Sequence, residues 1–254
     1  MKAFLLLLPL LLLNTTADEP APAALHQPAW GNITADKANP RLLQLAIRTW
    51  PADGLLSLPA PMPNFTRAAL LQGSSHQLLE WTFNADATSI ILTLPVAAPA
   101  NLPATVLLYA SEKTTVFADG HIIFSALDAS LHGKPIALES HPGNHRIGFW
   151  SNAADWISWE CAGGREGQFD VELTYSSAGS EGTEMEFEIA GQKLSFTRPP
   201  TGSWYRYRTV SLGRIKLTAG TPFGVSARCS KLTGGAVINL KAISLRPVVE
   251  PEKS

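Results

Sequence analysis

Aromatic and amide side chains gather in three short, turn-rich segments of this chain. Trp204, Tyr205 and Tyr207 follow the turn signal Thr201-Gly202-Ser203. Trp150 and Asn152 occupy a second such segment, and Asn239 a third. An aromatic face packs on a patch of C–H groups, while a planar amide pairs with hydroxyls. Together they suit a polyhydroxylated ring such as a pyranose. The competing reading is structural, because large aromatics usually fill cores. Trp156 and Trp159 illustrate it: they differ in parity on one alternating run, so at least one is core. Trp159, in phase with Ile157 and Cys161, is the expected core member.

Other groups capable of chemistry read as less pointed. Glu184, Glu186 and Glu188 alternate with Met185, Phe187 and Ile189, which makes them one solvated strand face rather than a carboxylate site. His132, His141 and His145 lack companion ligands at metal-site spacing, so hydrogen-bonding or solvated roles are expected. Cys161 and Cys229 fit either one disulfide or two small buried thiols. Lys and Arg number 20 against 21 Asp and Glu, with no basic stripe, which argues against a nucleic-acid partner.

These residues must be positioned by strands. Short runs alternate with period two between Gly, Pro, Asn and Asp breaks: Leu43, Leu45 and Ile47; Leu56 and Leu58; Phe169 to Tyr175; Met185 to Ile189. No run in the body of the chain keeps a helical i, i+3, i+4, i+7 pattern over several turns. The pattern predicts an all-β protein of two antiparallel, jelly-roll-like β-sandwiches joined by a short connector. The expected layout is a first sandwich over 30–111, a connector over 112–127, a second sandwich over 128–247 and a tail over 248–254. The connector reads as a hairpin, Thr115-Val116-Phe117 and Ile122-Ile123-Phe124 about Asp119-Gly120.

Ahead of the first sandwich, Lys2 and an apolar run from Ala3 to Leu13 precede Asn14-Thr15-Thr16-Ala17. That is the layout of a secretory signal peptide over 1–17, followed by a linker over 18–29. The apolar run is too short to span a bilayer. A secreted, periplasmic or cell-surface location is therefore expected, with no membrane span. Asn32-Ile33-Thr34 and Asn64-Phe65-Thr66 fit the N-glycosylation sequon.

Two resemblances add to this reading. Trp30-Gly31-Asn32-Ile33-Thr34-Ala35 and Trp50-Pro51-Ala52-Asp53-Gly54 with Leu56-Ser57-Leu58-Pro59 resemble the start of the C-terminal β-sandwich of α-L-fucosidases. The similarity continues through Ala68–Leu71, Leu79-Glu80-Trp81, Ile90–Pro95 and Thr105–Leu108. In that family the nucleophile and acid/base carboxylates lie on a separate (β/α)8 barrel, for which this chain has no matching positions. The resemblance therefore implies an accessory, non-catalytic protein with no catalytic residue to carry over.

Asp128–Gly133, Ile147–Trp150, Asp155–Glu160, Gly167–Leu173, Thr201–Trp204, Leu217–Gly220 and Val237–Lys241 resemble the family-6 and family-35 carbohydrate-binding modules, a galactose-binding-like sandwich. That resemblance implies a glycan partner, an associated glycoside hydrolase, and a loop-end cleft near Trp204. It also implies a structural Ca2+ with Glu139 as candidate ligand. Lys241, where relatives often carry an Asp, opposes such a metal. Two alternatives stay open: a fucosidase remnant or non-catalytic subunit whose barrel is encoded elsewhere, and a structural cell-surface interaction module.

Overall fold

The structure is a computed structural model that describes residues 27–59, 62–73, 75–84 and 88–248. The expected signal peptide lies outside the described residues. Among the described residues strands dominate, with a single 3-10 turn at Ala126–Asp128. Among the described residues no helix is long and apolar enough to cross a membrane.

Period-two patterning works as expected in the first half. Leu43, Leu45 and Ile47 of the strand Leu42–Ile47 point inward and are almost fully buried. Leu56 and Leu58 are buried while Leu55 is exposed. The Trp-Pro-x-Asp-Gly piece turns through Gly54 at φ 70°, where Asp53 Oδ1 accepts from Leu55 N at 3.0 Å. Trp50 closes that turn by donating Nε1–H to Pro95 O at 2.9 Å. The first sheet runs in the order Gly31–Ala35, Leu42–Ile47, Ala104–Ala110, Phe65–Gln72, Ser75–Leu78.

The facing layer belongs to both halves. A ten-stranded sheet has the path Ala137–Glu139, Arg146–Gly148, Asn239–Pro247, Gly167–Ser177, Ser203–Leu217, Glu80–Phe83, Ile90–Thr93 and Leu55–Leu58. The expected connector hairpin forms, Thr115–Val116 against Ile122–Ser125, and joins this sheet along Asn239–Pro247. The halves are stitched where Tyr207 pairs with Trp81 and Arg206 with Thr82. A third sheet, of five strands, closes the second sandwich: Ser130–His132, Trp156–Cys161, Phe223–Lys231, Thr183–Ile189, Gln192–Arg198.

One strand serves two cores. Tyr207 packs among Trp81 and Phe83 of the first core, while Leu212, Ile215 and Leu217 of the same strand line the second. A bulge switches the phase: Val171 faces Gly213 and Glu172 faces Ser211, leaving Leu212 as the extra residue. Gly213, at φ 129°, adopts the backbone that the bulge requires.

Charge is buried at the seam between the halves. Arg67, fully buried, donates through Nε to Glu172 Oε2 at 2.6 Å and through Nη2 to Oε1 at 3.2 Å. Arg246 Nε adds a 3.3 Å contact to Glu172 Oε1 and also pairs with Asp170. Burial pushes the Glu172 carboxyl up, but Arg67 and Arg246 outweigh it and hold it below its ordinary range. Beside them His76 and His121 lie with rings parallel, 6.5 Å apart. Burial, then Arg67, lowers His76 to about 4.

Candidate functional site

Two aromatic expectations from the sequence meet the burial pattern and change, and the cysteine alternatives resolve. Trp150 has no exposed surface: its ring sits in the second core and Nε1 donates to Asp155 O at 3.2 Å. Tyr207 is equally sealed in the first core. A ring without accessible surface offers no face to a sugar, so both are structural. Cys161 and Cys229 are buried free thiols. Cys161 faces Phe223 across an antiparallel ladder, and Cys229 lies at the far end of that same strand, past the pair Trp156–Arg228. About 20 Å of strand separates them, against the roughly 7 Å limit for Cα atoms in a disulfide.

Trp159 is core, with Ile157 and Cys161, as its parity predicts. Trp156 on the opposite face is half-buried, stacked on His132 at 3.7 Å and covered by Arg228 at 3.8 Å. His132 Nε2 lies 2.9 Å from Ser158 Oγ, a hydrogen-bonding role. His145 hydrogen-bonds Ser140 Oγ through Nδ1. Glu184 and Glu186 stand on the open face and pair with Lys231 and Lys193. Asn64 of the second sequon is 1% exposed with both ends of its amide engaged, so no glycan can sit on it in this fold.

A residue that sequence reasoning passed over is the most displayed aromatic of this end. Phe149 is 63% exposed and holds φ at 50°, a strained backbone for a bulky side chain. The cause is local. Ile147 and Trp150 are both buried, and Trp150 O accepts from Val237 N at 2.7 Å, which fixes the chain on either side. Of the two residues between them, Gly148 is buried and Phe149 is turned out into solvent. Its signal in the sequence was indirect: an aromatic pair, Phe149-Trp150, of which the core takes only one member.

Around Phe149 the polar groups converge. A Cβ on Gly148 would stand 1.8 Å from Glu139 Oε1 and 3.0 Å from Asn239 Oδ1, so glycine leaves room for both oxygens. Asn239 Nδ2 donates to Trp204 O at 3.3 Å, and Ser176 Oγ donates to the same carbonyl at 2.8 Å. The half-buried Trp204 is thereby tied through its carbonyl to Asn239, whose amide oxygen faces Gly148. Tyr205, of opposite parity, leans toward the first core with the Arg146 guanidinium 5.8 Å from its ring centroid. Asn152 is exposed, but its amide closes its own loop, donating to Asp155 Oδ1 and accepting from Ala154 N. The structure thus joins the Trp204 backbone to Asn239, leaves the Phe149 ring in solvent next to Gly148, and keeps Asn152 for loop shape.

Glu139 does not suit a divalent cation. Arg146 forks onto its carboxylate, Nε to Oε1 at 3.3 Å and Nη2 to Oε2 at 2.6 Å. Lys241 Nζ is buried nearby, and burial followed by Arg146 lowers it to about 7. A carboxylate already gripped by an arginine fork, with a buried amine in the neighbourhood, does not form a Ca2+ site. Among the described residues no cluster of three or more metal-ligating side chains occurs.

Comparison with known proteins follows the same geography. Residues 143–231 match the family model for carbohydrate binding module (family 35), a stretch that contains Phe149 and Trp204. No curated protein matches the chain. Among solved structures, the chain is similar to the insecticidal crystal protein Cry2Aa at 15% identity, covering 60% of this chain and 28% of that one, with a TM-score of 0.45. It is similar to a family 35 carbohydrate binding module from Clostridium thermocellum at 15% identity, covering 51% and 99%, TM-score 0.41. An α-L-fucosidase from Vibrio sp. strain EJY3 is similar at 15% identity, covering 89% and 41%, TM-score 0.36. The chain spans less than half the length of the first and third of these.

Proposed function

We propose that this chain is an exported, non-catalytic carbohydrate-binding protein, an accessory partner to a glycoside hydrolase, whose site lies at the loop end of the second sandwich. Phe149 carries the reading. A strained backbone holds its ring in water inside the stretch that matches a carbohydrate-binding module. Phe149 and Trp204 supply hydrophobic faces for sugar C–H patches, with Asn239, 7% exposed, bracing Trp204 from behind. Arg146 and Glu139 form a paired polar wall behind them.

The test uses the full chain on a broad glycan array, followed by calorimetric titration of the best ligand. Phe149→Ala is expected to weaken binding about tenfold, or 1.4 kcal/mol, without loss of fold. Silence across the array, or unchanged affinity in the variant, refutes the assignment. Turnover of an aryl fucoside by the purified chain refutes the non-catalytic reading.

A second reading, a subunit that packs against a hydrolase encoded elsewhere, draws on the first sandwich. Leu55 at 48%, Ile91 at 37% and Val96 at 74% exposure place apolar side chains on its open side.

A further inference from the structure

We propose that Asn64, contributed by the first sandwich, is a positioning residue for the candidate glycan site on the second, acting through the buried amine of Lys241. The inference rests on the loop-end site proposed above.

Asn64 is anchored to its own half. Nδ2 donates to Ser111 O at 2.8 Å, and its backbone O accepts from Ser111 N at 2.9 Å. Its Oδ1 faces the other half, accepting from Lys241 Nζ at 2.9 Å and from His145 N at 3.3 Å. Lys241 is fully buried, with Asn144 Oδ1 as a second acceptor at 3.3 Å and the rings of Phe83 and Tyr207 each 5.2 Å from its ammonium. Its cage is two neutral oxygens and two aromatic faces from both sandwiches, with no carboxylate in contact. Such a burial is costly, and what it provides is geometry.

The geometry it provides is the spacing of the two strands that carry the site. Lys241 follows Asn239 by two residues along the strand Asn239–Pro247. Asn144 and His145 lead directly into Arg146, which grips Glu139, and then into Gly148 and Phe149. Between these strands the registered ladder is the pair Ile147–Leu240, followed at the Phe149 end by the bond from Val237 N to Trp150 O. At the other end, among the described residues, no further ladder pair is registered between Asn144-His145 and Lys241. One carboxamide that holds both His145 N and Lys241 Nζ supplies the constraint there. Asn64 therefore sets the distance between Phe149 and Asn239 without approaching the ligand.

The chemistry of substitution separates this role from general stability. Lys241→Met preserves an unbranched stem against Phe83 and Tyr207 and removes the ammonium, so the fold is expected to persist. Asn64→Ala removes acceptor and donor together. Asn64→Asp keeps the acceptor toward Lys241 and adds a charge beside it, at the cost of the Nδ2 donation to Ser111 O. The charged and titratable groups that face Lys241 are Arg146, Glu112, His145 and Tyr207, with Glu139 behind Arg146. In the parent chain, glycan affinity is expected to fall as pH rises from neutral through Lys241 deprotonation; the aspartate holds the ammonium charged and flattens that profile.

The experiment compares amide hydrogen exchange over 144–148 and 239–241 with glycan affinity in the full chain and the three variants. Lys241→Met and Asn64→Ala are expected to speed exchange there about tenfold and to weaken the array-identified glycan about fivefold. Asn64→Asp should retain affinity at neutral pH and lose the alkaline decline. Unchanged exchange, or unchanged affinity with the segments loosened, overturns the positioning role. If the parent chain binds no glycan while exchange still accelerates, the fault lies in the site assignment and Asn64 only pins strands.

Discussion

Replacing Glu172 by Gln at the seam isolates the cost of a buried charge left alone. The two side chains have nearly the same shape, so packing is conserved and only charge changes. Arg67 is fully buried and takes its counter-charge from Glu172 over 2.6 and 3.2 Å, while Arg246 leans on the same carboxylate at 3.3 Å. Breaking a buried pair from one side costs about 3–5 kcal/mol, because the remaining charge has neither water nor partner. At about 2–4 °C per kcal/mol for a chain of this size, the melting midpoint should drop by roughly 6–20 °C. Thermal unfolding followed in parallel by far-ultraviolet circular dichroism and tryptophan fluorescence reads the shift and checks that the two halves melt together. Arg67→Met with Glu172→Met removes both charges and should recover most of the loss. A single-variant cost below about 1 kcal/mol, or a double variant as weak as the single, refutes the account of the seam as a mutually dependent pair.

The remaining expectations concern packing, redox state and acidity. Trp150→Ala should destabilise by about 3–5 kcal/mol, measured by urea titration, in contrast with the near-neutral Phe149→Ala. Cys161 and Cys229 should both react with a thiol reagent on unfolding and neither in the folded chain, and reductant should leave the melting midpoint unchanged. His76 is neutral in the fold down to about 4, against 6.5 when exposed. The unfolded chain therefore binds the extra proton in that window, and stability falls as pH drops from 6.5 toward 4. His76→Leu should flatten that part of the stability curve.

The sequence resolved faces better than neighbours. Alternation assigned Trp159 to the core, put Glu184, Glu186 and Glu188 in solvent and located the connector hairpin, because side-chain direction in a strand is a local property. It could not say which core a residue faces. Tyr207 has the parity of a half-exposed strand residue and becomes buried only because Glu80–Phe83 pairs beside it, a contact between distant parts of the chain. Trp150 and Phe149 are adjacent aromatics on one turn, and which of them points inward depends on the φ adopted at Phe149. The polar cage of Lys241 was visible only as an unexpected cation, since Asn64 and Asn144 reach it from segments with no shared motif.

The sheet shared by the two sandwiches also constrains how the chain is made and inherited. Glu80 and its partner Arg208 are 128 positions apart. During synthesis the strand Glu80–Phe83 must wait, with one hydrogen-bonding edge open, until the strand Ser203–Leu217 emerges. Pairings across such long loops form slowly, and an open edge invites association with other chains. Nor is the second sandwich a bead to be cut out and strung onto another protein: excision exposes Tyr207, Lys241 and the stitched edge at once. Genetic shuffling would have to move the pair as one cassette.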